Sequence, residues 1–113
     1  MPGKLTTHVL DIASGRPAAG MKISLYRGER LVVETITNAD GRTDAPLLAD
    51  GHLTAGEYEI EFDVGSYFAA SGHADARRFL GVVPVAFVVD DPSGSYHVPL
   101  LVSPWAYSTY RGS

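Results

Sequence analysis

The stretch that decides the fold is Glu57-Tyr58-Glu59-Ile60-Glu61-Phe62-Asp63-Val64, in which acidic and apolar residues alternate. Successive side chains of a β-strand point to opposite faces, so the apolar residues share one face and the carboxylates share the other. The pattern therefore predicts a half-buried strand, and the rest of the chain is interpreted around it.

Six further runs of β-branched and aromatic residues surround this strand, at 4–12, 21–26, 31–37, 82–89, 96–102 and 105–110. Turn residues separate them. Seven or eight short strands at this spacing predict an all-β sandwich. One segment differs: the stretch 66–72 begins with a Ser and ends with a Gly, which predicts one short helix with Ser66 as its N-cap and Gly72 at its end.

The run 96–102 is apolar on both faces. Tyr96, Val98, Leu100 and Val102 alternate along it with His97, Pro99 and Leu101. One face can pack on a second sheet, whereas the face that carries His97 predicts contact with a partner subunit or a ligand cavity. We therefore expect an oligomer. Pro99 has no N–H to donate, which favours a position at a sheet edge or a bulge.

Length and composition limit the class of protein. The 113 residues predict a single domain over 1–113. Nine Lys and Arg against thirteen Asp and Glu give a charge of −4 and no basic stripe for a phosphate backbone, so nucleic acid is not expected as a partner. The sequence has no long apolar run, no signal peptide pattern and no peroxisomal Ser-Lys-Leu ending, so we expect a cytoplasmic protein without membrane contact.

The candidate chemistry lies at His8, Arg42, His97 and the stretch Tyr110-Arg111-Gly112-Ser113. Imidazoles exchange protons near neutral pH, and a neighbouring guanidinium lowers a histidine pKa or binds substrate oxygens. The aromatic, β-branched run before Tyr110 predicts a final strand that delivers a hydroxyl, a guanidinium and a carboxylate to one place.

Each of these residues also has a structural interpretation. A single histidine on a strand more often satisfies local hydrogen bonds than catalyses, and an arginine after a turn is more often a solvated charge. His52 and His73 lie beside glycines in expected loops and receive no role. The histidines lack metal-ligand spacing and the serines lack a nucleophile-elbow pattern, so we expect no metal, no cofactor and a water nucleophile.

Three stretches carry a resemblance to a known family: 5–11 (LTTHVLD), 37–42 (TNADGR) and 96–113 (YHVPLLVSPWAYSTYRGS). With them the chain resembles the transthyretin-like 5-hydroxyisourate hydrolases over essentially its whole length. The segment 73–83 is the least typical part. Transthyretin itself, a thyroid hormone carrier of the same fold, differs at the candidate positions and lacks the closing tetrapeptide.

The resemblance implies an eight-stranded transthyretin-like sandwich of two four-stranded sheets. It further implies a homotetramer, a dimer of dimers with sites at the subunit interface. The implied reaction is hydrolytic ring opening of 5-hydroxyisourate, a product of urate oxidation, to 2-oxo-4-hydroxy-4-carboxy-5-ureidoimidazoline. Carried over residue by residue, the catalytic set is His8, Arg42, His97 and Tyr110. The substrate-binding set is His8, Arg42, Tyr110, Arg111 and Ser113.

Two other functions compete with this one. A non-catalytic carrier of small aromatic ligands would share the fold, but it has no need of the polar set His8, Arg42, His97 and Arg111. An adhesion or interaction sandwich would tolerate loss of both strand histidines. Both alternatives predict no acceleration of 5-hydroxyisourate hydrolysis.

Overall fold

Two four-stranded sheets and one helix make up the computed structural model, which describes residues 2–72 and 79–112. The elements are β1 (Lys4–Asp11), β2 (Arg16–Pro17), β3 (Lys22–Arg27), β4 (Arg30–Ile36), β5 (Gly56–Asp63), α1 (Val64–Ala70), β6 (Val82–Val89), β7 (Ser95–Val102) and β8 (Tyr107–Thr109). One sheet has the order β2-β1-β7-β8 and the other has the order β4-β3-β5-β6. The predicted all-β sandwich with one short helix is confirmed.

The alternating stretch forms β5, an internal strand that pairs antiparallel with β3 and β6. Tyr58, Ile60 and Phe62 are buried, whereas the acidic residues between them lie on the outer face. The core between the two sheets consists mainly of aliphatic side chains from β1, β3, β5, β6 and β7. The period of two in the sequence therefore directs one face of β5 into this core.

The helix begins three residues earlier than the sequence predicts, at Val64. Its N-cap is Asp63, whose carboxylate accepts the backbone N–H of Ser66 at 3.3 Å. Ser66 is therefore not the N-cap, because the acidic residue that ends β5 already provides a capping oxygen. The predicted end is confirmed: Ser71 is the C-cap and Gly72 follows it with a φ of 93°.

The predicted strand 105–110 is shorter than expected, since β8 covers only Tyr107–Thr109. The Ser103 hydroxyl accepts the backbone N–H groups of Trp105 and Ala106, each at 3.2 Å, and so forms a turn there. Arg16–Pro17 lies between two of the predicted runs and pairs with the end of β1 as the short strand β2.

The expectation that Pro99 lies at a sheet edge or a bulge is wrong. Pro99 is in β7, which has β1 on one side and β8 on the other. The regular pairing of β8 with β7 starts only at Leu100, and the Pro99 carbonyl accepts the Thr109 hydroxyl at 2.7 Å. Because the carbonyl and the nitrogen of one strand residue point to the same side, the missing N–H faces the end of β8, where no ladder bond is lost.

Across residues 2–72 and 79–112, no helix has the length and apolar character needed to cross a bilayer.

Candidate active site

The two strand histidines lie on one face of one sheet. Strands β1 and β7 pair in parallel, with Thr6 opposite His97 and His8 opposite Pro99. Since side chains alternate with a period of two, both histidines point away from the core and His8 lies one pleat along from His97. We call this outward surface of the sheet β2-β1-β7-β8 the site face; its residues on β1 and β7 are Thr6, His8, Leu10, His97, Pro99 and Leu101.

Arg42 is placed beside the site face by the turn formed by residues 38–41. Its backbone forms an isolated antiparallel bridge with His8. The Asn38 side-chain oxygen accepts the N–H groups of Asp40 at 2.9 Å and Arg42 at 3.2 Å, and the Asn38 N–H donates to the Arg42 carbonyl at 2.7 Å. Gly41 has a φ of 74°, which a glycine adopts without strain. The turn therefore holds the backbone of Arg42 against β1.

His97 is fixed on two sides of its ring. Its Nδ1 is 2.8 Å from the hydroxyl oxygen of Thr6, the residue directly opposite on β1. On the other side lies Gly112, whose N–H donates to the His97 carbonyl at 2.6 Å. A Cβ at Gly112 would be only 2.8 Å from His97 Cδ2. These contacts leave Nε2 as the ring nitrogen available to a substrate.

The surroundings of His97 keep its ring neutral. Partial burial lowers the pKa of His97 below its ordinary value of 6.5, and the charges of Arg42 and His8 lower it further. Arg42 and His8 therefore both lie near enough to His97 to act on its ring electrostatically. A neutral imidazole beside a guanidinium can accept a proton while the guanidinium binds an anionic oxygen.

The closing segment is only partly at this site. Gly112 packs on His97, but the Arg111 guanidinium lies over the Tyr96 ring, 4.2 Å from its centroid, and donates to the Ser95 carbonyl at 3.1 Å. Tyr96 points to the face of β7 opposite His97. Tyr110 is 59% exposed and lines an open depression with Ser95, Arg111 and Gly112. Ser113 lies outside the described residues.

Thr6, which contacts the His97 ring, is not among the predicted site residues; Gly112 lies in the predicted closing stretch, but its packing on the His97 ring was not predicted. The sequence could have indicated Thr6 because it shares a strand face with His8. That Thr6 lies opposite His97, however, depends on the pairing of β1 with β7, which no local pattern predicts. His52 is exposed, with Nδ1 2.9 Å from the Ala49 carbonyl oxygen, in a loop outside the site face. His73 lies outside the described residues. In the part of the chain that the structure describes, no group of three or more His, Asp or Glu side chains is arranged to hold a metal ion.

These contacts define a β-sandwich that carries two imidazoles and a guanidinium on the outer face of one sheet. The model of the HIUase/Transthyretin family matches residues 5–112, and the chain belongs to that family.

Individual relatives include 5-hydroxyisourate hydrolases and a transthyretin. A 5-hydroxyisourate hydrolase of Deinococcus radiodurans is 54% identical over 116 residues, covering 99% of this chain and 97% of the relative. The structure of Klebsiella pneumoniae 5-hydroxyisourate hydrolase has a TM-score of 0.86 at 36% identity, with 98% of this chain and 99% of that chain covered. Sea bream transthyretin in complex with thyroxine has a TM-score of 0.85 at 27% identity, with 96% and 94% covered. Proteins with both names share this fold, so the fold alone does not decide the function, which has to be inferred from the site residues.

Proposed function

We propose that this chain is a 5-hydroxyisourate hydrolase, which opens the ring of its substrate to give 2-oxo-4-hydroxy-4-carboxy-5-ureidoimidazoline. The observation that carries the proposal is the arrangement of a neutral His97 beside His8 and Arg42 on the site face. Relatives at about half identity over nearly the whole chain bear the name of this activity. The proposal treats residues 1–113 as a single transthyretin-like domain.

The reaction adds water across a ring C–N bond. His97, unprotonated at neutral pH, takes a proton at Nε2 from a water held between the two imidazoles. The water oxygen forms a bond to the ring acyl carbon, the C–N bond to the ring nitrogen breaks, and an imidazolium returns the proton to that nitrogen. His8 lies one pleat away and orients the water. All atoms of the product are supplied by substrate and water, and no step of this proposal uses a metal or cofactor.

The side chains around the two histidines bind the substrate. Arg42 is exposed and its backbone pairs with His8, so its guanidinium can bind ring oxygens through its planar set of donors. Tyr110 and Ser113 position the ring from the closing segment, so that orientation contributes to the rate along with proton transfer. Arg111 was predicted to bind substrate as well; its contacts with Tyr96 and Ser95 favour a contribution through the segment it anchors.

The test is the hydrolysis of freshly generated 5-hydroxyisourate, followed by its ultraviolet absorbance after urate oxidase has consumed urate. His8→Asn and His97→Asn should each lower kcat about a hundredfold or more, the size of ordinary acid–base assistance. His52→Asn is a matched control on an exposed loop and should stay within about twofold of the unmodified protein. Unchanged rates in both site variants would refute the assignment.

The alternative function, a carrier of small aromatic ligands, would give a different result. Such a protein would bind an aromatic ligand in an apolar cavity and leave the rate of spontaneous 5-hydroxyisourate decay unchanged. The polar groups at His8, Arg42 and His97 favour the hydrolase, because apolar capture has no need of them.

We also propose that the active form is a homotetramer, a dimer of dimers with the sites at a subunit interface. The site face supports this, since Leu10 and Leu101 lie on it half-buried beside Ile12, which is 49% exposed. Light scattering should give four times the mass of one chain, and Leu101→Asp should reduce both that mass and the activity. A monomer with full activity would contradict this part. The cytoplasmic location stays a prediction from the sequence.

A further inference from the structure

We propose that Thr6 is a positioning residue for His97: its hydroxyl holds Nδ1 of the ring and thereby directs Nε2 toward the substrate. This inference rests on the proposed function and adds to it a residue that does not itself touch the reacting atoms. The contact joins two residues 91 positions apart, at 2.8 Å between Thr6 Oγ1 and His97 Nδ1.

The backbone pairing of β1 with β7 holds Thr6 and His97 opposite each other. Thr6 and His97 are direct partners in the parallel ladder of β1 and β7, and the ladder continues on both sides, from Lys4 opposite Ser95 to Asp11 opposite Val102. A β-branched side chain has few χ1 conformations in a strand, so the hydroxyl has little freedom to leave the ring. Both partners are half-buried, which reduces competition from water.

Gly112 makes the orientation unique. It packs on the Cδ2 side of the ring, where a Cβ would come within 2.8 Å of Cδ2 and 3.3 Å of Cγ. Turning the ring by half a revolution would place Cδ2 next to the Thr6 hydroxyl and Nδ1 next to Gly112, and the hydrogen bond would be lost. A ring held in this way presents the same nitrogen to the substrate in every turnover.

The chemical consequence concerns the choice of nitrogen. A histidine acts as a base only through a nitrogen that is unprotonated and faces the substrate, and the partner of the other nitrogen decides which one this is. When the Nδ1–H of the neutral ring donates to the Thr6 hydroxyl oxygen, Nε2 is the unprotonated nitrogen and faces outward on the site face, with His8 one pleat away. Without the hydroxyl, Nδ1 loses its partner and the flipped ring orientation becomes accessible.

The test compares Thr6→Val, which keeps the shape and removes the hydroxyl, with Thr6→Ser, which keeps the hydroxyl. We expect kcat to fall about tenfold in Thr6→Val, the factor that one lost hydrogen bond supplies, and to stay within about threefold in Thr6→Ser. The matched control is Thr35→Val on β4, an edge strand of the other sheet. The pH profile of kcat should change in Thr6→Val only.

Nitrogen NMR of the histidine rings provides a readout that does not depend on turnover. In the full-length protein we expect the Nδ1 resonance of His97 to move in Thr6→Val and to be retained in Thr6→Ser, while thermal unfolding confirms that both variants are folded. An unchanged Nδ1 resonance and an unchanged pH profile in Thr6→Val would overturn the inference. If the unmodified protein does not accelerate 5-hydroxyisourate hydrolysis, the proposed function fails, and the NMR comparison still decides whether Thr6 positions the ring.

Discussion

Gly112→Ala is the substitution that most directly tests the geometry of the site. An added Cβ would lie 2.8 Å from His97 Cδ2, whereas carbon atoms in contact stay about 3.5 Å or more apart, so the two must separate by roughly 0.7 Å. The backbone of Gly112 cannot move away without losing the 2.6 Å hydrogen bond from its N–H to the His97 carbonyl. The His97 ring must therefore rotate away from the Thr6 hydroxyl, or the closing segment that contains Gly112 must detach.

Either response displaces a group that orients the reaction. Because a misplacement of about 1 Å can cost about a hundredfold in rate, a shift of roughly 0.7 Å should lower kcat/KM about thirtyfold. The assay is hydrolysis of enzymatically generated 5-hydroxyisourate. Gly81→Ala is the control, since nothing lies within 4 Å of a Cβ at that exposed glycine. If Gly112→Ala retains kcat/KM within about twofold of the control, the packing of Gly112 on His97 does not govern the reaction.

Three further predictions concern pH dependence and stability. Because the pKa of His97 is lowered from 6.5, the ring is mainly neutral at pH 6.5 and the acidic limb of kcat/KM should have its midpoint below 6.5 in a pH profile; a midpoint at or above that value contradicts the role of His97 as base. Tyr67 donates to the buried Asp11 carboxylate at 2.8 Å, and burial together with this carboxylate raises the pKa of Tyr67 to about 12. Tyr67→Phe should therefore destabilise the fold by about 1.5 to 3 kcal/mol in urea unfolding, and an unchanged midpoint would argue against this bond. Gly41→Ala places a Cβ against the Val9 carbonyl at a φ of 74°, so both stability (by more than about 1 kcal/mol) and activity should fall, and a variant with native values in both assays would show that the turn does not position the site.

The fold could be predicted from the sequence because most of its signals are local. The alternation at 57–64 identifies a strand with one buried face, and the structure buries Tyr58, Ile60 and Phe62 as that pattern requires. Errors arose where two residues competed for one local role. Asp63 and Ser66 both have capping oxygens, and only the end of β5 decides that Asp63 caps the helix. Trp105 has strand propensity, but the Ser103 hydroxyl bends the chain there.

The sequence predicts which residues form the site, but it does not predict which of them contact each other. Parity places His8 and His97 each on an outward face, yet it does not say that β1 and β7 are parallel neighbours. That pairing joins residues about ninety positions apart and depends on the packing of both strands against the second sheet. The orientation of the Arg111 side chain could not be predicted for the same reason, since it packs on the Tyr96 ring, whose position depends on how β7 packs. The roles of all these residues in catalysis remain predictions.

The register of β1 against β7 connects stability with function in this molecule. Leu5, Val9, Val98 and Leu100 are at most 5% exposed on the core face of these strands. A slip by one residue would turn the whole set of one strand outward and would carry a histidine into the core, so burial of the apolar residues enforces the register. The same register brings Thr6 opposite His97 and His8 one pleat away. The core therefore determines the geometry of the site face but not the identity of the side chains on it. Those side chains can differ between relatives while the sandwich stays the same, so the proposed function rests on His8, Arg42 and His97 rather than on the fold.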